Sequence, residues 1–149
     1  MDINRYTTEE LLSLAEAKRE SLNQALRLTQ AMLEVLAGET PEYIEVLLDE
    51  RQHCFDKVEE INRSYDLLYI NVREQLSPEG FALVRSIEQA ALEIGRSIQV
   101  VDKEVSEGMH ALLSELRQKL VEVNTGKKGL AAYSQHEQPG EGVLVDEKK

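Results

Sequence analysis

Tryptophan is absent from this chain, cysteine occurs once and proline three times in 149 residues. A lone thiol, Cys54, excludes a disulfide framework. A chain of this length needs none, because it can bury a core without cross-links, and one domain is expected. Aromatic residues make up only 5% of the sequence, which leaves a β-rich fold short of its usual material. No apolar run approaches the roughly 20 residues of a membrane span, and the amino terminus carries no signal-peptide pattern. Positive charge is scarce: 17 Lys and Arg against 28 Asp and Glu give a net charge of -11. Such a surface repels phosphate backbones and anionic headgroups, so neither nucleic acid nor membrane insertion is expected. The composition points to a soluble, cytoplasmic, all-α protein.

Leu, Glu, Ala, Gln and Ser dominate, and their order sets out long helices. Thr7-Thr8-Glu9-Glu10 reads as a capping box, followed by Leu11, Ala15, Leu22, Ala25, Leu26, Thr29, Met32, Leu33 and Leu36 mostly at steps of three and four up to Gly38. Thr40-Pro41-Glu42 restarts a helix after a very short connection, with Ile44, Leu47, Leu48, Arg51, Cys54, Val58, Ile61, Tyr65, Leu68, Val72 and Leu76 at near-heptad spacing. Ser77-Pro78-Glu79-Gly80 repeats the cap, proline and acid, and launches a stripe from Phe81 through Val84, Ile87, Ala91, Ile98, Val105, Met109 and Leu116 to Val123. The expected helices span about 8–37, 41–76 and 78–124. Short connections make them antiparallel neighbours in a three-helix bundle or coiled coil. After Asn124 the periodicity fades, glycines accumulate, and 125–149 reads as a flexible tail with small apolar clusters at Leu130–Tyr133 and Val143–Val145.

Two Glu-x-x-His matches, Glu50-Arg51-Gln52-His53 and Glu107-Gly108-Met109-His110, have the spacing used by di-metal four-helix bundles. Such ligands must point inward. At about 100° per residue, His53 lies roughly 160° from the Arg51 stripe and Glu107 roughly 160° from Met109, so both pairs straddle outer surfaces. Their levels in an antiparallel pair folded at Ser77 also differ by roughly 13 Å. No metal or cofactor is expected, and His53 reads as a surface residue pairing weakly with Asp49 or Glu50. No phosphate loop, nucleophile elbow or Cys-x-x-Cys pair is present, so an enzyme is not expected.

Helix lengths give a different lead. The second helix covers the third only to about Leu113, counting equal lengths from the Ser77 turn. Leu112, Leu113, Leu116, Leu120 and Val123 then form a seam without an evident partner, of the kind that helix-in-groove recognition uses. A client protein, a second copy of the chain, sliding of the helices, or the tail folding back would each cover it. Arg51 is the one charge centred in a buried-looking stripe, which calls for an ion pair or a partner contact.

The segment Leu47–Asn62, LLDERQHCFDKVEEIN, resembles the Leu-Leu-x-x-[Arg/Lys]-Gln-x-x-x-Asp pattern on the second helix of flagellar type III export chaperones of the FlgN and FliT kind. Leu47, Leu48, Arg51, Gln52 and Asp56 are the matching positions. The carboxyl-terminal GKKGLAAYSQ and GVLVDEKK look like the end of FlgN-type chains, and the Asp-x-Lys-Lys ending departs from the shorter filament-cap pattern. The resemblance therefore favours a FlgN-like, hook-filament junction chaperone. It implies a cytoplasmic protein that binds hook-associated subunits, prevents their premature assembly and delivers them to the type III export gate. By the same likeness the client contacts are Leu112, Leu116, Leu120, Val123 and Leu130, and Tyr133 contacts the gate. The alternatives are a filament-cap chaperone or a self-associating coiled-coil scaffold.

Overall fold

The computed structural model describes the backbone of residues 2–137 and the side chains of residues 8–130. Three helices account for nearly all of it: α1 (Asp2–Ala37), α2 (Ile44–Val72) and α3 (Pro78–Glu137). Single 3-10 turns, Pro41–Tyr43 and Arg73–Gln75, flank α2. There is no strand among the described residues. The all-α helical bundle expected from the periodicity is the fold observed.

The chain divides into two units, Met1–Gly108 and Met109–Lys149. In the first, each helix turns a stripe of alternating three- and four-residue steps inward. Leu11, Val72 and Val84 make one buried cluster. Ala25, Cys54 and Ile98 make a second. Each cluster draws one residue from each helix, and their order along the chain fixes the directions: α1 and α3 run parallel, with α2 antiparallel to both. Leu36, near the end of α1, packs beside Gly108 in the same register.

The helix boundaries follow local chemistry. Gly38 N–H donates to the Val35 carbonyl at 3.1 Å and tightens the last turn of α1. Ser77 caps α3: its Oγ accepts from Gly80 N–H at 3.0 Å while its carbonyl accepts from Phe81 N–H at 2.8 Å. Leu76 is extended (φ -69°, ψ 131°) and ends the helical run ahead of Ser77 and Pro78.

Several boundaries differ from the sequence reading. Helix α1 is already running at Asp2, so Thr7 is not its cap; nothing from Asp2 to Tyr6 is proline or glycine. Thr40 makes no side-chain cap bond, and Pro41 opens a 3-10 turn before α2 begins at Ile44. Helix α2 ends at Val72 and loosens into the second 3-10 turn rather than reaching Leu76. Helix α3 continues past Asn124 to Glu137, because Lys127, Lys128, Leu130, Ala131 and Ala132 are good helix formers and outweigh two glycines at about 1 kcal/mol each. Phe81, expected in the inward stripe, is exposed on the first turn of α3.

Candidate partner-binding surface

Along α3 the inward stripe is buried at Val84, Ile87, Ala91, Ile98 and Val105. Apolar residues then recur at Leu112, Leu116, Leu120, Val123 and Leu130, still at helical steps. Taken at about 100° per residue, these five and Leu113 share an arc of about 100° on one helix face. Leu112 is half-buried. Leu113, Leu116 (47%), Leu120 (62%), Val123 and Leu130 (67%) are exposed. A face of this width, apolar and exposed, is a surface suited to a partner rather than a completed core. Lys119 and Lys127 border or interrupt it, and Lys119 is tied to Glu115 at 3.5 Å. Tyr133 lies within the helical backbone of α3, and its side chain lies outside the described residues. Residues 138–149, with the Val143–Val145 cluster and the Asp-x-Lys-Lys ending, also lie outside them.

The motif positions of α2 belong to the first unit and divide between core and surface. Leu47 and Leu48 are half-buried against the bundle. Gln52 and Asp56 face outward, Gln52 Nε2 donating to Asp56 Oδ1 at 2.9 Å. Arg51 reaches across the bundle: Nη1 donates to Asp102 Oδ1 on α3 at 2.7 Å and to Thr29 Oγ1 on α1 at 3.3 Å. Thr29, fully buried, in turn donates a hydrogen bond from its hydroxyl to the Ala25 carbonyl at 2.7 Å. The guanidinium also lies 5.7 Å from the Phe55 ring centroid. Arg51 is therefore an internal tie among three helices, and the ion pair that its position called for is made with Asp102.

Glu50, His53, Glu107 and His110 are all exposed. His53 Nδ1 sits 2.8 Å from the Asp49 carbonyl oxygen, a backbone contact in place of the carboxylate pairing expected. Among the described residues no three His, Cys, Asp or Glu side chains gather as a metal site would need. Burial pushes the Cys54 thiol up, Lys57 partly opposing and Glu50 adding, which keeps it protonated and poorly nucleophilic. No helix among the described residues is long and apolar enough to cross a membrane.

Compared with known families, residues 19–135 match the one described as flagellar protein FliT. The chain belongs to the FliT family. Neither the curated proteins nor the solved structures contain a match to it. FliT proteins are flagellar export chaperones, so the chain has a chaperone's role towards flagellar proteins. The match runs through Arg51, Gln52 and the whole seam to Leu130 and stops at residue 135. It covers GKKGLAAYSQ but ends before the Asp-x-Lys-Lys residues that favoured the hook-filament junction class, and FliT is the family identified.

Sequence reasoning located the α3 stripe through its period, and it left the partner of Arg51 unnamed. It missed a groove in the first unit, lined by Lys18 and Leu22 of α1 and by Arg85, Leu92, Gly95 and Arg96 of α3. The available signal was Gly95, a glycine in the middle of an otherwise strong helical pattern.

Proposed function

We propose that this FliT-family chain is a cytoplasmic export chaperone that holds a late-assembling flagellar subunit on the exposed α3 face of Leu112, Leu113, Leu116, Leu120, Val123 and Leu130. The observation that carries this reading is the exposure of that face: apolar residues keep helical spacing over residues 112–130 while remaining open to water. An amphipathic client helix laid on it would bury both apolar faces, shielding the client's assembly surface until export. Lys119 and Lys127 on that face suit a client helix with flanking carboxylates. Delivery to the export gate, with Tyr133 as the contact, completes the proposed cycle.

Two client classes follow. The carboxyl-terminal ending favours hook-associated subunits of the hook-filament junction, whereas the family match stops short of that ending and leaves the filament-cap subunit as the other candidate. Titration calorimetry with each purified subunit separates them. The cognate subunit should bind the full chain, and Leu116→Asp with Leu120→Asp should weaken binding by about 30-fold or more while circular dichroism stays helical. Binding of neither subunit, or binding unchanged by the two substitutions, would sink the reading.

The same open face also suits a second copy of the chain. Sedimentation equilibrium decides this: a scaffold would self-associate at micromolar concentration and lose that association with Leu116→Asp, whereas a chaperone waiting for its client would stay monomeric.

A further inference from the structure

We propose that the groove between α1 and α3 in the first unit is a second docking site, one that takes an acidic amphipathic helix of a partner protein. The groove has a volume of about 450 Å³, room for a few side chains. Leu22, Val58, Ala91 and Leu92 give it an apolar lining, and Leu92 is 57% exposed. Its charges run against the sign of the chain. Lys18, Arg85 and Arg96 line it against one carboxylate, Glu88, which is already engaged by Lys18 at 3.7 Å. Arg85 and Arg96 make no ion pair among the described residues. They stand eleven residues apart on α3, about three turns and roughly 16 Å, and so on nearly the same helix face. A net acidic protein thus presents two guanidiniums, unpaired among the described residues, beside an apolar trough.

Gly95 supplies an independent argument. A glycine inside a helix costs about 1 kcal/mol relative to alanine. At Gly108 the cost has an internal reason, since an added Cβ would stand 3.2 Å from Leu36 Cδ1. At Gly95 an added Cβ would meet nothing within 4 Å. No packing among the described residues requires a glycine there, and its place in the lining of the groove, one residue before Arg96, lets a partner helix approach the α3 backbone closely. The occupant follows from this chemistry: small and aliphatic residues over Leu22, Ala91, Leu92 and Gly95, with carboxylates about three turns apart for the two arginines. A basic or neutral helix would leave both guanidiniums unpaired.

Two synthetic helical peptides of about 20 residues provide the test. Both carry the same Ala/Leu face; one has Glu and the other Lys at two positions eleven apart. Titrated into the full-length protein and followed by amide chemical shifts, the Glu peptide should perturb residues around 18–22 and 85–99 and bind at least about tenfold more tightly than the Lys peptide. Arg85→Glu with Arg96→Glu should reverse that preference. Gly95→Leu should weaken the Glu peptide while preserving helicity. Equal binding of both peptides, no binding of either, a preference that survives charge reversal, or shifts confined to residues 112–130 would each overturn the proposal. Because the readout maps to the first unit, it is independent of whether the α3 face at Leu116 holds a flagellar subunit.

Discussion

Arg51 on α2 and Asp102 on α3 are joined at 2.7 Å, with the arginine side chain only 14% exposed and the aspartate 49% exposed. One end of this pair is in the core and the other at its edge, so water screens the attraction and the geometry matters more than the charge. Thr29 takes a second bond from the same Nη1, so a single side chain ties all three helices at one level. Arg51→Ala removes the pair, the contact with Phe55 and the packing of the aliphatic stem. It should cost about 2–4 kcal/mol in urea denaturation. Arg51→Met keeps the volume and leaves no buried charge, so it should fall within about 1 kcal/mol of the parent. A Met variant as damaged as the Ala variant would show that the ion pair itself, rather than the space it fills, sustains the bundle.

Ser77 sits where the chain turns from α2 into α3, its Oγ accepting from Gly80 N–H at 3.0 Å. Ser77→Ala leaves that amide without its cap and should lower stability by about 1 kcal/mol, while Ser77→Asp should hold the parent value or exceed it, since a carboxylate also favours the positive end of the helix. Thermal melts of the two variants provide the measurement. An unchanged melt in Ser77→Ala would mean that the hydroxyl does not cap α3.

The physics that made these features legible in the sequence is local. A serine before Pro78 and the alternating three- and four-residue spacing of Ile44, Leu47, Arg51, Cys54, Val58, Ile61 and Tyr65 are signals each contained within a short stretch of chain, and they led to the right architecture. The apolar positions of the α3 face were legible for the same reason. What failed were readings that weighed one residue type against a long context. Gly126 and Gly129 suggested that the tail begins at 125, yet helix formers around them carry α3 to Glu137. Thr7 suggested a cap, yet nothing upstream interrupts the helix. The Asp102 partner of Arg51 and the groove at Gly95 depend on which helices adjoin and in what register, and periodicity within a helix does not contain that information.

Tyr65 stacks on Tyr69 with ring centroids 6.0 Å apart, packed against the Leu11, Val72 and Val84 cluster. Its phenol is pushed up to about 12, first by burial and then by the negative charge of Glu88, with smaller contributions from Tyr69 and Asp66. A group whose folded pKa is raised contributes stability that is fully present below the unfolded value near 10 and is lost as pH rises through the folded one. Stability should therefore decline between about pH 10 and pH 12. Tyr65→Phe should flatten that part of the decline, and in ultraviolet absorbance titration it should remove a component with its midpoint near 12. A titration curve that keeps this component in the variant would assign the raised phenol elsewhere.

Gly95 and Gly108 offer a paired comparison on one helix. Alanine gains about 1 kcal/mol over glycine in a helix interior when nothing opposes it. Since a Cβ at position 95 meets nothing within 4 Å, Gly95→Ala should stabilise the free protein by up to about 1 kcal/mol. At position 108 the new methyl would press on Leu36 Cδ1 at 3.2 Å, the end of a half-buried side chain that has to give. Gly108→Ala should therefore gain less than Gly95→Ala, or lose stability outright. Combining Gly108→Ala with Leu36→Val separates the two terms, because shortening the side chain removes the contact and should restore part of the propensity gain. Should Gly108→Ala stabilise as much as Gly95→Ala in urea denaturation, the packing of Leu36 against α3 is looser than this contact implies.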